Sequence, residues 1–235
     1  MIKFYRKVRQ EMLQKKSIAK YLKYAIGEIV LVVIGILIAI QINAWQQLGK
    51  ENELERKYLQ NLVAELKQDS IGLTKNYLRL KDQARTKNKL LSMIKNGTEG
   101  DSIIQYFEYQ WRPIPPYSSL KATYTEITSS AHLSIIKNDV LREKMIKYYN
   151  LYSALEKEEE FLLQTASQNV IIAISHRIPD MSDYTADDVM LLKEDSHLLN
   201  TIQLNGAYTR RDNYKSMIDE CADLIRNLER YQSTL

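Results

Sequence analysis

Apolar positions follow two different habits along this chain. From Ile29 to Ile40 twelve apolar residues stand in unbroken succession, whereas after Trp45 apolar residues recur at helical spacing between charged ones. The first habit makes a helix that is apolar on every side, and the second makes a helix with one covered face. With Ala25, Ile26 and Gly27 ahead of it and Ile42, Ala44 and Trp45 behind, the unbroken run grows to residues 25–45. At 1.5 Å per residue such a helix is about 31 Å long, which matches a ~30 Å hydrocarbon core. A transmembrane helix is expected at 25–45, with Tyr21 and Tyr24 at one interface and Trp45 at the other. Glu28, Gln41 and Asn43 are its embedded polar residues. Each lies close to an end, where a side chain reaches the headgroups; the other reading turns Glu28 towards a second helix. A cleaved signal peptide fits less well, because 24 residues precede the run and Glu28 interrupts its start.

The second habit predicts three long helices, at 46–96, 139–178 and 207–232. In the first, Leu59, Leu66, Leu73 and Leu80 recur every seven residues beside Leu62, Val63, Tyr77, Ala84 and Leu91. Asn96-Gly97 is its stop signal and Gly72 its weak point. The second is opened by Asn138 or Asp139, carries Leu141, Met145, Tyr148, Tyr152, Leu155 and Leu162 on one stripe, and ends near Ile178-Pro179. The third shows Tyr214, Met217, Ile218, Cys221, Leu224, Ile225, Leu228 and Tyr231, with Asn205-Gly206 as the break before it. Thr185 and Asp188 have capping-box spacing for a short helix between them. Residues 98–131 are the irregular part: Asp101 can cap a short helix, and Pro113, Pro115 and Pro116 require extended chain. Tyr106, Phe107, Tyr109, Trp111 and Tyr117 crowd this stretch, either as a partner-binding surface or as a roof over the core. The expected fold is all-α, with one transmembrane helix continuing into an extracytoplasmic antiparallel helical bundle: a basic segment 1–24, the membrane helix 25–45, and a soluble domain 46–235. The seven-residue leucines suit contacts within one chain or between copies equally well.

Charge sets the orientation. The whole chain carries +4, yet residues 1–24 hold eight basic residues against Glu11 alone, so the remainder sums to −3. A basic flank directly before an apolar run is a positive-inside signal that also attracts anionic lipid; it is not read as a nucleic-acid surface. The amino terminus is therefore expected in the cytoplasm and the domain outside it. Phe4, Val8 and Met12, four apart, suit a helix lying on the inner leaflet. Cys221 is the single cysteine and is read as a core residue, so no intrachain disulfide is possible.

Each residue set that could carry chemistry has a plainer explanation. His132, His176 and His197 lie far apart without metal-ligand spacing, and Asp180, Asp183, Asp187 and Asp188 lack the calcium-loop pattern. Ser129, Ser130 and His132 are close in sequence but that is not triad geometry. The run Glu156–Glu160 is read as a solvated helix face. No catalytic residue, metal or cofactor is assigned.

The stretch Lys20 to Trp45, KYLKYAIGEIVLVVIGILIAIQINAW, resembles the anchor of an uncharacterised family of short, single-pass inner-membrane proteins of Gram-negative bacteria. Tyr124 to Tyr149, YTEITSSAHLSIIKNDVLREKMIKYY, resembles that family's second recognisable segment, where glycine is expected at Ala131. The resemblance implies a bacterial inner-membrane location and no assigned activity. Three functional readings remain. The first is a membrane-anchored interaction, scaffold or sensor-like module that meets a protein partner or a second copy. The second is a membrane-acting oligomer that uses Glu28, Gln41 and Asn43. The third is an enzyme of unfamiliar type built around His132.

Overall fold

A computed structural model describes residues 18–97, 100, 102–112, 114–204 and 206–235. The basic amino-terminal helix expected around Phe4, Val8 and Met12, the Asp101 cap, Pro113 and Asn205 lie outside the described residues. Helix is the only regular structure among those described. In chain order these are α1 (Ile18–Asn96), α2 (Ser102–Trp111), α3 (Ala122–Ser129), a 3₁₀ turn (His132–Ile135), α4 (Asp139–Ala166), a π-helical turn (Ser167–Ile171), α5 (Ile172–Ser175), α6 (Ala186–Met190), a second 3₁₀ turn (Leu191–Glu194), α7 (Ser196–Gln203) and α8 (Ala207–Gln232). The all-α expectation holds. The chain divides into two units, one ending at Glu55 and one spanning Arg56–Leu235.

In the first unit α1 is apolar on every side from Ile29 to Ile40, and that stretch is exposed throughout. Its large apolar side chains from Leu22 to Leu48 are between 47% and 81% exposed. In the second unit α1 presents a regular seam: positions 59, 62, 66, 69, 73, 76, 80, 83, 87, 90 and 94 are all buried. Alternating steps of three and four residues keep these side chains on one line of the helix. The seven-residue leucines Leu59, Leu66, Leu73 and Leu80 are fully buried on this line, within the single chain.

The long helices of the second unit pack with α8 antiparallel to both others. Lys67 pairs with Glu229, Asn76 with Tyr214 and Asn88 with Tyr208, so α8 descends as α1 rises. Lys144 meets Asp223 and Glu159 meets Arg210, which gives the same opposition between α4 and α8. Consequently α1 and α4 run the same way. The connection after α1 makes this possible: α2, a non-helical strap at 114–121 and α3 return along α1 before α4 begins. Asn138 caps α4 by accepting the Leu141 N–H at 3.0 Å.

At the far end of α1 a second cluster forms from short elements. Leu90 and Ile94 of α1 pack with Ile103 and Phe107 of α2, Val170 and Ile174 around the π turn, and Val189, Leu192, Leu198 and Ile202. The π turn breaks the long helix expected through 178 by inserting an extra residue into one turn. Thr185 and Asp188 form the expected capping box on α6, and Asp195 caps α7 through the Leu198 N–H at 2.9 Å.

Two glycine questions are settled by geometry. Gly72 sits in α1 because a Cβ there would come within 2.1 Å of the Tyr117 ring, so the missing side chain is the seat of that ring. Ala131, where the family resemblance expects glycine, has φ of +56° between α3 and the 3₁₀ turn. An L-residue pays about 1–2 kcal/mol for that conformation, part of which glycine recovers at an entropic cost. Ala131→Gly should therefore raise stability by up to about 1 kcal/mol, whereas Gly72→Ala should lower it through the displaced ring. Denaturation of both variants, followed by helical circular dichroism, checks the opposite signs.

Candidate functional site

The seam of α1 is not wholly apolar. Asp69, Asn76, Gln83 and Lys87 occupy buried positions on it. A buried polar group must be hydrogen-bonded or it destabilises the fold, and three of these four hold the returning chain. Gln83 donates to the Tyr109 carbonyl at 2.6 Å, and Asn76 donates to the Pro115 carbonyl at 2.9 Å. Asp69 accepts from the Leu120 N–H at 2.8 Å and from the Tyr117 hydroxyl at 3.0 Å. One turn earlier, Glu65 accepts from the Thr123 hydroxyl at 2.7 Å and from its backbone N–H. Seven residues are two helical turns, so each contact lies on the same face as the last. A proline-containing strap cannot form its own ladder, and α1 supplies the missing partners. Lys87 instead donates to the Gln203 carbonyl at the end of α7, with its ammonium 4.4 Å from the Tyr208 ring centre.

The strap is gripped from the other side by a buried ion pair. Glu159 and Arg210 are 1% and 4% exposed, and their two-pronged contact has N–O distances of 2.8 and 2.7 Å. Arg210 also donates to the Ile114 carbonyl at 2.8 Å. Tyr214 donates to Glu159 and accepts from Asn76 and from the Tyr117 N–H. Tyr152 donates to the Tyr117 carbonyl at 2.9 Å. The reading of Glu156–Glu160 as a solvated face is thus corrected at Glu159. Its position was legible: it completes the stripe 141, 145, 148, 152, 155, and Arg210 similarly falls on the stripe 207, 210, 214, 217, 221. A charge on an apolar stripe signals a partner on a facing stripe.

The five aromatic candidates do not form one surface. Phe107 is fully buried, with its ring edge-on to Tyr184 at 5.3 Å. Tyr117 is half-buried and spends its N–H, carbonyl and hydroxyl on Tyr214, Tyr152 and Asp69. Tyr106 accepts from Lys89, and Trp111 lies half-buried under the Arg112 guanidinium. Tyr109 alone of the five is exposed. Glu28, Gln41 and Asn43 are all exposed in the first unit. At 100° per residue, Glu28 and Asn43 stand about 60° apart, with Gln41 on the far side.

His132 meets the Tyr58 hydroxyl at 2.8 Å, and that hydroxyl donates to Glu126 at 3.1 Å. The Ser129 hydroxyl is turned to the Glu126 carbonyl. His176 and His197 are exposed and apart from it. Among the described residues no three His, Cys, Asp or Glu side chains are placed to hold a metal. Asp180 and Asp188 are held below the usual carboxylate range by hydrogen bonds from Ser182 and Thr185, which is turn and cap chemistry. A depression bordered by Leu78, Lys81, Arg85, Tyr208 and Arg211 is open to solvent.

The pattern that spans both units, an apolar segment followed by a polar-seamed helix, a strap and a second long helix, is covered by one family model, which matches residues 28–164. The chain belongs to the family of unknown function DUF6090. The family match begins at Glu28, so it takes in the apolar run, the rest of α1, the strap and α4 as far as Gln164, and stops before α8. Glu159 thus lies inside the matched segment and Arg210 beyond it. No curated protein and no solved structure matches the chain.

Burial sets the titration of the core. It pushes the Asp69 carboxyl up, against the Leu120 N–H and Tyr117 hydroxyl that pull it down. It lowers the Lys87 ammonium and pushes the Cys221 thiol up from 9.0 to about 11. The unfolded thiol ionises first, so its contribution to stability is intact below pH 9 and is lost as pH rises through about 11. Iodoacetamide at pH 8 should leave Cys221 unmodified in the folded chain and label it rapidly once denaturant unfolds the bundle; mass spectrometry reads the difference. For the ion pair, Arg210→Met or Glu159→Leu alone should cost about 3–5 kcal/mol, because each strands a buried charge. The double variant should recover part of that loss and retain a deficit from the Ile114 carbonyl and Tyr214 hydroxyl. Urea titrations of the four proteins check both statements.

Proposed function

We propose that this chain is a single-pass membrane protein whose helical domain is an interaction, scaffold or sensor-like module held at the membrane surface, outside the cytoplasm of a Gram-negative bacterium. The carrying observation is the uncovered apolar part of α1. Its most apolar stretch has a mean hydropathy of 2.6, and none of it is buried. The core helix of a soluble protein passes a hydropathy test because neighbours bury it; here lipid is the solvent that suits the exposed side chains. A cleaved leader accords poorly with an α-helix that continues to Asn96 and with a family match that starts inside the apolar run. The basic flank supports a cytoplasmic amino terminus. Buried Glu159 and Arg210 bond each other and the strap, so the interaction role is assigned to the outer surface of the bundle. A pore lined by Glu28, Gln41 and Asn43 is the weaker alternative, because Gln41 stands on the far side of the helix from the other two.

The test has three arms on the full-length protein expressed in a Gram-negative host. Extraction should require detergent and resist carbonate. Protease added to spheroplasts should destroy the domain beyond residue 50. In-cell crosslinking with mass spectrometry should return a specific protein or a defined self-complex. A mature chain beginning near Trp45, or a domain protected in intact spheroplasts, overturns the membrane topology. Crosslinking that yields neither partner nor self-complex overturns the interaction role.

A further inference from the structure

Cations from two helices converge on the depression between α1 and α8. It has a volume of about 500 Å³ and is bordered by Lys81, Arg85 and Arg211, with Leu78 and the Tyr208 ring among them. Tyr208 is a fixed wall: its hydroxyl accepts from Asn88 of α1 at 2.7 Å and donates to the Ala84 carbonyl at 3.4 Å. Its ring gathers positive charge, with the Arg211 guanidinium 5.2 Å and the Lys87 ammonium 4.4 Å from the ring centre. The carboxylates nearby compensate little. Arg85 meets Asp82 at 3.3 Å and Arg211 meets Asp212 at 2.7 Å, and Arg85, Asp82 and Asp212 are each more than half exposed. Exposed pairs of this kind contribute little, so exchanging one for an incoming carboxylate costs little. Lys81 forms no ion pair among the described residues.

The borders select the occupant. Among the described residues the rim carries Lys81, Arg85 and Arg211 against one carboxylate, Asp82, so an anion is favoured. Asp82 also limits that anion: a polyanion meets repulsion that a single carboxylate avoids. Leu78 is exposed there, and Ile71, two turns earlier on the same face of α1, is exposed as well. An apolar side chain beside the carboxylate removes such groups from water. A second copy brought to this face about a two-fold axis sets Lys81, Arg85 and Arg211 against the same cations, so self-association here is disfavoured. On the basis of the interaction role assigned above to the outer surface, we propose that the depression receives an acidic segment of a partner protein. A Glu or Asp carboxylate lies between Arg85 and Arg211, and an apolar side chain of the same segment lies against Leu78 and Tyr208.

The experiment selects a random peptide library on the full-length protein in detergent and measures the selected peptides by fluorescence anisotropy. They should pair Glu or Asp with Leu, Phe or Trp and bind more weakly as salt is raised. Lys81→Glu with Arg85→Glu, both at exposed positions, should weaken binding at least about tenfold with helical circular dichroism unchanged. Lys57→Glu with Lys157→Glu makes the same change in net charge at exposed positions that do not border the depression, and should leave binding unaltered. The proposal is overturned if no peptide is selected, if the peptides are basic or wholly apolar, or if both double variants weaken them equally. It is also overturned if phosphatidylglycerol vesicles or inorganic phosphate, rather than peptides, lose binding on reversal of Lys81 and Arg85, which assigns the depression to a lipid or a small anion. In-cell crosslinking separates this site from the wider interaction role. A partner recovered equally by the parent and by the Lys81→Glu, Arg85→Glu variant sinks the site alone, whereas a parent chain that recovers none sinks the role and the site with it.

Discussion

Two opposite charges, Glu159 and Arg210, lie buried between α4 and α8, and the arrangement of the second unit depends on their meeting. Such a pair adds little net stability, because desolvation offsets most of the attraction. Its consequence is selective. A register that separated them would leave a charge in the core, which disfavours sliding of α8 against α4. Through the Ile114 carbonyl and the Tyr214 hydroxyl the same pair fixes the strap. Through Asn76 it reaches α1. One polar centre therefore sets the register of three helices and the segment between them.

That centre explains how a proline-containing strap is held along the flank of a helical bundle, with Ile114 and Ser119 buried and Pro115 and Pro116 exposed. Its backbone cannot satisfy itself, and α1 offers Asn76 and Asp69 to it, while Gln83 and Glu65 hold α2 and α3 on either side. Gly72 belongs to the same solution, since the ring of Tyr117 needs the space a side chain would fill. The seam is accordingly an adapter for irregular chain as much as a hydrophobic stripe. It also accounts for the parallel course of α1 and α4: the strap, lodged along α1, carries the chain back to its starting level.

The first unit obeys a different constraint. There the helix has no seam, and its apolar side chains are exposed on all sides. A bilayer removes the need for a covered face, because lipid solvates every side of the helix while the backbone bonds remain internal. The membrane reading rests on this contrast between the parts of α1 before and after residue 55, together with the family match that spans them.

The sequence by itself determined the elements. The unbroken run before Trp45, the steps of three and four in the long helices, the Thr185–Asp188 cap and the stop at Asn96-Gly97 are local, and local patterns are written in neighbouring residues. Tertiary structure alone decided how those elements are used. It placed the leucines at 59, 66, 73 and 80 inside one chain, a choice that spacing leaves open. It turned Glu159 inward from a run that reads as solvated, drew Phe107 into the interior and half-buried Tyr117, and held Ala131 in a left-handed conformation. The reason is physical. A stripe records that a face is covered without recording by what, and a charge on that stripe finds its meaning only in the residue, fifty positions away, that the fold sets against it.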